Sequence, residues 1–174
     1  MSGGSRALPP GLGPALARAL GVIARADGAV LAGLALLVAI TAATGLPVVA
    51  HGIALIALVL LANAVHELGH LVAYRMLAPH GRAVFAYDGM RGALTREPLP
   101  RRRDRAVTAA GPLAPLVLAL CATPLAALFP AEVVGAGIIA VGHLLGLALP
   151  TADRRAWREA APSPNADPAP TLGA

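Results

Sequence analysis

Two imidazoles and one carboxylate lie within five residues of each other in the segment NAVHELGHLVAYRM, residues 63–76. His66 and His70 are four positions apart, so on a helix both rings project from one face, one turn apart. That spacing lets two imidazole nitrogens bind one metal ion, and the neighbouring Glu67 can take a proton from water at that ion. The pattern predicts a zinc site with His66 and His70 as ligands and Glu67 as the general base.

This motif lies inside an apolar run that is long enough to cross a membrane. Ionisable side chains within such a run are costly in lipid and usually mark a functional site. The alternative is a helix whose histidines only form hydrogen bonds with their neighbours. His70 precedes Arg75 by about 7 Å along a helix axis, so we expect the metal inside the membrane, near the face where Arg75 lies.

A catalytic zinc ion usually has three protein ligands, so the two histidines leave one ligand to be found. Asp153 is the leading candidate, because it follows the last apolar run at about the depth of His70. Its alternative role is a helix-end carboxylate paired with Arg154 or Arg155. His143, deeper in the same run, is the reserve candidate for the third ligand.

The composition indicates contact with lipid. Hydrophobic residues make up 57% of the 174 residues and charged residues only 13%, too few for the surface of an ordinary soluble domain. Four apolar runs approach the roughly 20 residues that a membrane-crossing helix needs, at about 28–50, 52–76, 107–129 and 131–149. The predicted fold is an all-α membrane protein with four transmembrane helices and a small cytoplasmic β-hairpin.

The hairpin is predicted within the connection 77–106, where AVFAYDGMRGALT has two β-prone runs around an Asp-Gly turn. Asp88 is then a turn residue, and Asp104, within RRRDR, is a solvated partner of its neighbouring arginines. Residues 1–27 are predicted to be partly disordered with a short interfacial helix, residues 28–155 to form the membrane domain, and residues 156–174 to be a disordered tail.

The placement of arginine predicts the orientation. All fourteen basic residues are arginine, which is typical of a GC-rich bacterial genome. Arg75 lies at the end of the second run, and the others lie before the first run, between the second and third, and after the fourth; the other two connections have none. The positive-inside rule then places both termini and the long connection in the cytoplasm, with the chain in the bacterial inner membrane. This explains the net charge of +5 without a nucleic-acid partner.

Three segments in order, HELGH at 66–70, AAGPLAP at 109–115 and LALPTADRR at 147–155, resemble the site-2 protease family of intramembrane zinc metalloproteases. That family has a three-helix core, with HExxH on the first helix, a Gly-Pro motif opening the second and an aspartate ligand on the third. The resemblance covers about residues 52–155. It implies that His66, His70 and Asp153 bind Zn²⁺, and that Glu67 acts as the base in cleaving a transmembrane protein or peptide near the cytoplasmic face.

The chain departs from the family pattern in the last motif. Arg154 stands where the family has glycine, and no asparagine precedes Pro150 at the family's spacing. The alternative function is therefore a non-proteolytic relative that binds or regulates membrane segments, although Glu67 favours the protease because binding needs no general base. An extended substrate could pair with the hairpin edge, at Val84–Tyr87 or Met90–Thr95; otherwise the hairpin only covers the cytoplasmic mouth.

Overall fold

Helices dominate the part of the chain that the computed structural model describes, residues 4–88 and 91–146. The elements in chain order are β1 (Gly4–Ala7), α1 (Leu12–Ala43), α2 (Pro47–Leu77), β2 (Ala83–Tyr87), β3 (Gly92–Arg96), α3 (Arg101–Cys121), a short 3-10 helix (Thr123–Ala127) and α4 (Pro130–Leu145). Helices α1, α2 and α3 are long and apolar enough to cross a membrane, while α4 is apolar but has only 16 residues. Membrane character is thus supported by three helices.

Helix α1 does not have the predicted bounds of 28–50. The segment predicted as a separate interfacial helix joins the apolar run into one helix that begins at Leu12. It ends at Ala43 because Gly45 has a φ of 76°, a left-handed conformation that terminates helices. Pro47 then opens α2, at a position where its missing N–H costs nothing.

The later helices also differ from the apolar runs. Helix α2, Pro47–Leu77, extends the predicted 52–76 at both ends. Helix α3 begins at Arg101 rather than 107, because an arginine-rich first turn can be helical outside the apolar region. It ends at Cys121 rather than 129, and the chain continues as the 3-10 helix Thr123–Ala127, which has Pro124 in its first turn. The predicted end of the fourth run, at 149, lies outside the described residues.

The predicted hairpin is present as β2 and β3, and β1 adds a third strand that the sequence did not predict. The sheet is antiparallel in the order β1-β2-β3, with Arg6 opposite Phe85 and Phe85 opposite Leu94. The central strand β2 therefore has partners on both edges. The outer edge of β3 has no strand partner within residues 4–88 and 91–146.

Residues 4–11, within the N-terminal segment predicted to be partly disordered, form backbone hydrogen bonds with distant parts of the chain. Besides the pairing of β1, the amide of Leu8 donates to Ala83 O at 2.9 Å, and the amide of Gly11 donates to Pro79 O at 2.8 Å. The guanidinium of Arg75 is buried and donates to the carbonyls of Leu8 and Gly81 at 3.3 and 2.6 Å. Backbone hydrogen bonds of this kind depend on distant partners and leave no local pattern in a short segment.

The buried core is concentrated at one end of the molecule, where the sheet meets the helices. It contains Ala15, Ala19, Val22 and Ile23 of α1, Leu71 and Tyr74 of α2, Phe85 and Tyr87 of β2, and Val107 of α3. Away from this end, large apolar side chains face outward, including Leu36 at 62% exposure and Ile138 at 68%. An apolar surface of this extent is suited to lipid.

Candidate functional site

Helix α2 brings the two motif histidines together as their spacing predicts. His66 Nε2 and His70 Nε2 are 3.2 Å apart, with the rings edge to face. Both side chains are partly buried and belong to the last part of α2, within the final three turns or so before Leu77. The two Nε2 atoms therefore converge on one point.

Helix α3 holds the ring of His70. Its Nδ1 lies 2.8 Å from the carbonyl oxygen of Val107, so Nδ1 carries the proton and donates it. In that tautomer Nε2 is left with a lone pair. A hydrogen bond from the far nitrogen to a backbone carbonyl is the usual support of a metal-binding histidine.

Gly69 of α2 and Gly111 of α3 allow the two helices to pack closely. A Cβ at Gly111 would overlap the imidazole of His70, and a Cβ at Gly69 would overlap Ala110 and Ala114 of α3. The glycines of HELGH and AAGPLAP thus share a structural reason, since the backbones must approach closely enough for His70 to reach the Val107 carbonyl.

Glu67 lies in a cavity of about 310 Å³ lined by Asn63, His66, Glu67, Arg91, Gly92 and His143. The hairpin contributes Gly92, whose missing side chain leaves room for Glu67; a Cβ there would overlap the glutamate side chain. Asn63 is about one turn before His66 on α2. The contributions of Arg91 and Gly92 were not predicted, because nothing local indicates that the start of β3 folds back onto α2.

His143 is the third histidine of this site. It lies in the last turn of α4, and its Nδ1 is 3.1 Å from His66 Nδ1, with ring centroids 5.0 Å apart. Asp153, the leading candidate for the third ligand, lies outside the described residues. The structure thus brings His66, Glu67, His70 and His143 together and does not describe the position of Asp153.

Asp88, Asp104 and His51 do not line this cavity. Asp88 is a turn residue as predicted, and its carboxylate accepts a hydrogen bond from the Arg91 amide at 2.8 Å. Asp104 pairs with Arg96 of β3 rather than with the arginines beside it, which ties the start of α3 to the sheet. His51, near the start of α2, pairs with Glu132 at the start of α4.

The histidine pair has the geometry of two zinc ligands. A separation of 3.2 Å between the Nε2 atoms is close to the roughly 3.3 Å that tetrahedral geometry requires with zinc–nitrogen bonds of about 2.0–2.1 Å. Residues 4–88 and 91–146 contain no group of three or more His, Cys, Asp or Glu side chains arranged to hold a metal ion. The described residues therefore supply two ligands of a zinc site, which needs at least one further ligand.

A buried hydrogen bond anchors the sheet beside this cavity. The hydroxyl of Tyr87 donates to Asp27 of α1 at 2.8 Å, and both residues are less than 5% exposed. Burial raises the pKa of the Tyr87 phenol, and the hydrogen bond to Asp27 and the negative charges of Asp27 and Glu67 raise it further. The pair was not predicted, because its partners are far apart in the sequence.

Comparison of the chain with models of known protein families, with curated proteins and with solved structures gives no match.

Proposed function

We propose that this protein is a zinc-dependent intramembrane endopeptidase, similar to the site-2 protease family, that cleaves a substrate's transmembrane segment near the cytoplasmic face. The observation that carries the proposal is the convergence of His66 Nε2 and His70 Nε2 on a helix that is long and apolar enough to cross a membrane, with His66 and Glu67 lining one cavity. In this proposal α2, α3 and α4 form the three-helix core and α1 is an added N-terminal helix. The chain lies in the bacterial inner membrane with both termini in the cytoplasm.

His66 and His70 would hold Zn²⁺, with Asp153 as the third ligand that the resemblance implies. The chemistry that zinc supplies when bound is Lewis acidity, which polarises a peptide carbonyl and makes water more acidic. Glu67 removes a proton from the attacking water and delivers it to the amine that leaves. The contact between Glu67 and Gly92 restricts where the carboxylate can point.

The sheet supports a specific route for an extended substrate. Val84–Tyr87, one of the two predicted docking edges, is excluded because β2 is paired with β1 and with β3. The outer edge of β3 remains, and it begins at Gly92 in the wall of the cavity that contains Glu67. A substrate strand paired with this edge would pass Gly92, which borders Glu67, and would offer its backbone carbonyls in an unwound form.

A Glu67→Gln variant tests the proposal. The glutamine amide keeps the size of the side chain but cannot accept the proton, so we expect zinc binding to persist while cleavage falls by about 10²–10⁴-fold. Purified protein in detergent would be assayed for zinc content and for cleavage of single-span peptides that carry a fluorophore and a quencher. Retention of binding to these peptides, with equal and negligible cleavage by wild type and variant, would instead favour the non-proteolytic alternative.

A further inference from the structure

His66 uses its two ring nitrogens in different directions. Its Nε2 faces His70 Nε2 at 3.2 Å, and its Nδ1 faces His143 Nδ1 at 3.1 Å. The two nitrogens of an imidazole point to different sides of the ring. A group in contact with Nδ1 is therefore directed away from an ion bound at Nε2.

This arrangement explains why three neighbouring histidines do not form a three-ligand group within the described residues. His66 and His70 converge through the same type of nitrogen, Nε2, whereas His143 meets the opposite side of the His66 ring. His70 has a matching arrangement, since its own Nδ1 donates to the Val107 carbonyl. His143 thus contacts the Nδ1 side of the His66 ring, just as the Val107 carbonyl contacts the Nδ1 side of the His70 ring.

The packing of α4 on α2 directs His143 to this position. Gly135 lies two turns before His143, and a Cβ there would meet a terminal methyl of Leu55 of α2. Helix α4 therefore packs against α2 at this point, and its last turn brings His143 Nδ1 within hydrogen-bond distance of His66 Nδ1. His143 is partly buried at this contact.

We propose that His143 is a positioning residue and not a metal ligand. Its Nδ1 accepts a hydrogen bond from the Nδ1–H of His66, which holds the His66 tautomer and turns Nε2 toward the metal. This inference rests on the proposed function in so far as His66 is a metal ligand.

The test compares metal affinity in the wild type, His143→Ala, His143→Asn and His66→Ala. Purified full-length protein in detergent would be titrated with Zn²⁺ against a chelator, and with Co²⁺ while its visible absorption is recorded. Loss of an outer hydrogen bond lowers metal affinity by about 10–100-fold, so we expect His143→Ala to lose this much and to keep the wild-type cobalt spectrum at saturation. His66→Ala removes a ligand and should change that spectrum.

His143→Asn is the decisive variant. An asparagine oxygen takes nearly the place of Nδ1 and accepts the hydrogen bond from His66, but an amide is a poor zinc ligand. We expect His143→Asn to recover most of the affinity that His143→Ala loses. If both variants lose the metal as completely as His66→Ala and alter the cobalt spectrum alike, His143 is a ligand and the inference is wrong. Wild-type affinity in His143→Ala would also overturn it.

The protease proposal is tested separately, by measuring the cleavage of the quenched peptides. A wild type that binds one zinc ion but cleaves nothing contradicts the protease, while the metal titrations still decide the role of His143. A wild type that binds neither Zn²⁺ nor Co²⁺ overturns both proposals.

Discussion

The imidazole of His70 lies directly against the backbone of Gly111, and a Cβ at that position would overlap the ring. We expect Gly111→Ala to displace His70 from the Val107 carbonyl and from His66. Because the supporting hydrogen bond and the position of Nε2 are both disturbed, zinc affinity should fall by at least about tenfold. Competition with a chelator, followed by elemental analysis of the protein, measures the change.

Gly137→Ala in α4 is the matched control for this substitution. It also replaces a helical glycine, but no heavy atom lies within 4 Å of the added Cβ. Both changes raise helix propensity by up to about 1 kcal/mol, so an effect confined to Gly111→Ala is due to the contact with His70. Equal zinc affinity in the two variants would show that Gly111 has no role in the site.

At the scale of single residues, the sequence was sufficient to predict the arrangement of the motif histidines but not the side chains that surround them. The i, i+4 spacing of His66 and His70 predicts their convergence, because helix geometry alone determines it. The contact between His66 and His143 depends on the rotation and depth of α4 relative to α2, which tertiary packing determines. No local pattern could have revealed it.

At the scale of elements, the start of β3 limits the freedom of the general base. Gly92 borders Glu67 so closely that a Cβ would overlap the glutamate side chain. We expect Gly92→Ala to push the carboxylate out of position, retain zinc, and lower cleavage of quenched peptides by about 10–100-fold, part of the full contribution of a general base. Ala93→Ser, at the next and exposed position of β3, is the control and should cleave normally.

The anchor between β2 and α1 predicts a dependence of stability on pH. The pKa of Tyr87 is raised above its ordinary value of 10.0, chiefly by burial and then by its hydrogen bond to Asp27. The folded protein therefore holds this proton more tightly than the unfolded chain. Its contribution to stability is fully present below about pH 10 and is lost progressively as the pH rises above it.

A Tyr87→Phe variant separates this contribution from other effects of high pH. At neutral pH it leaves the buried carboxylate of Asp27 without its phenol donor, which should lower the free energy of unfolding by about 1–3 kcal/mol. Thermal unfolding in detergent between about pH 8 and pH 11 should then show a smaller decline for the variant than for the wild type. Parallel declines would contradict the assignment to Tyr87.

The pairing of β2 with β3 could be predicted from the sequence, whereas the pairing of β1 with β2 could not. The Asp88-Gly89 turn signal and the flanking β-prone residues indicate a hairpin, because its partners are close in the sequence. β1 pairs with a strand about 80 positions away, and its four residues, GSRA, have no β pattern of their own. The strand is held by its pairing with β2, and the buried Arg75 binds the carbonyl of Leu8 directly after it; only the folded chain brings these partners near.

At the scale of the whole molecule, one part of a long helix has an apolar surface suited to lipid and another part packs in the buried core with the sheet. Helix α1, with 32 residues, is about 48 Å long, while the hydrocarbon core of a bilayer is about 30 Å thick. The excess length carries Ala15, Ala19 and Val22 into the buried core with the sheet. Apolar runs in the sequence predict only the lipid-embedded part, which is why the predicted start at residue 28 missed the first turns of α1.

The arginine distribution predicts an orientation that cysteine labelling can test. In a Cys121→Ser background, Thr44→Cys lies between α1 and α2, and Pro98→Cys lies between β3 and α3, both at exposed positions. Ala166→Cys reports the side of the C-terminal tail. Under the positive-inside rule, a membrane-impermeant maleimide should label Thr44→Cys in intact bacterial cells, and the other two only after permeabilisation.

Each labelling site reports on which side of the membrane one connection or tail lies. None of the substitutions removes an arginine, so the charge distribution that the positive-inside rule depends on is unchanged. Labelling of Pro98→Cys in intact cells, with Thr44→Cys protected, would reverse the orientation and place Glu67 near the external face. Labelling of Ala166→Cys in intact cells, with Pro98→Cys protected, would mean that the chain after α3 does not cross back. That result would remove α4 from a transmembrane core while leaving the contact between His143 and His66 to be explained by a re-entrant helix.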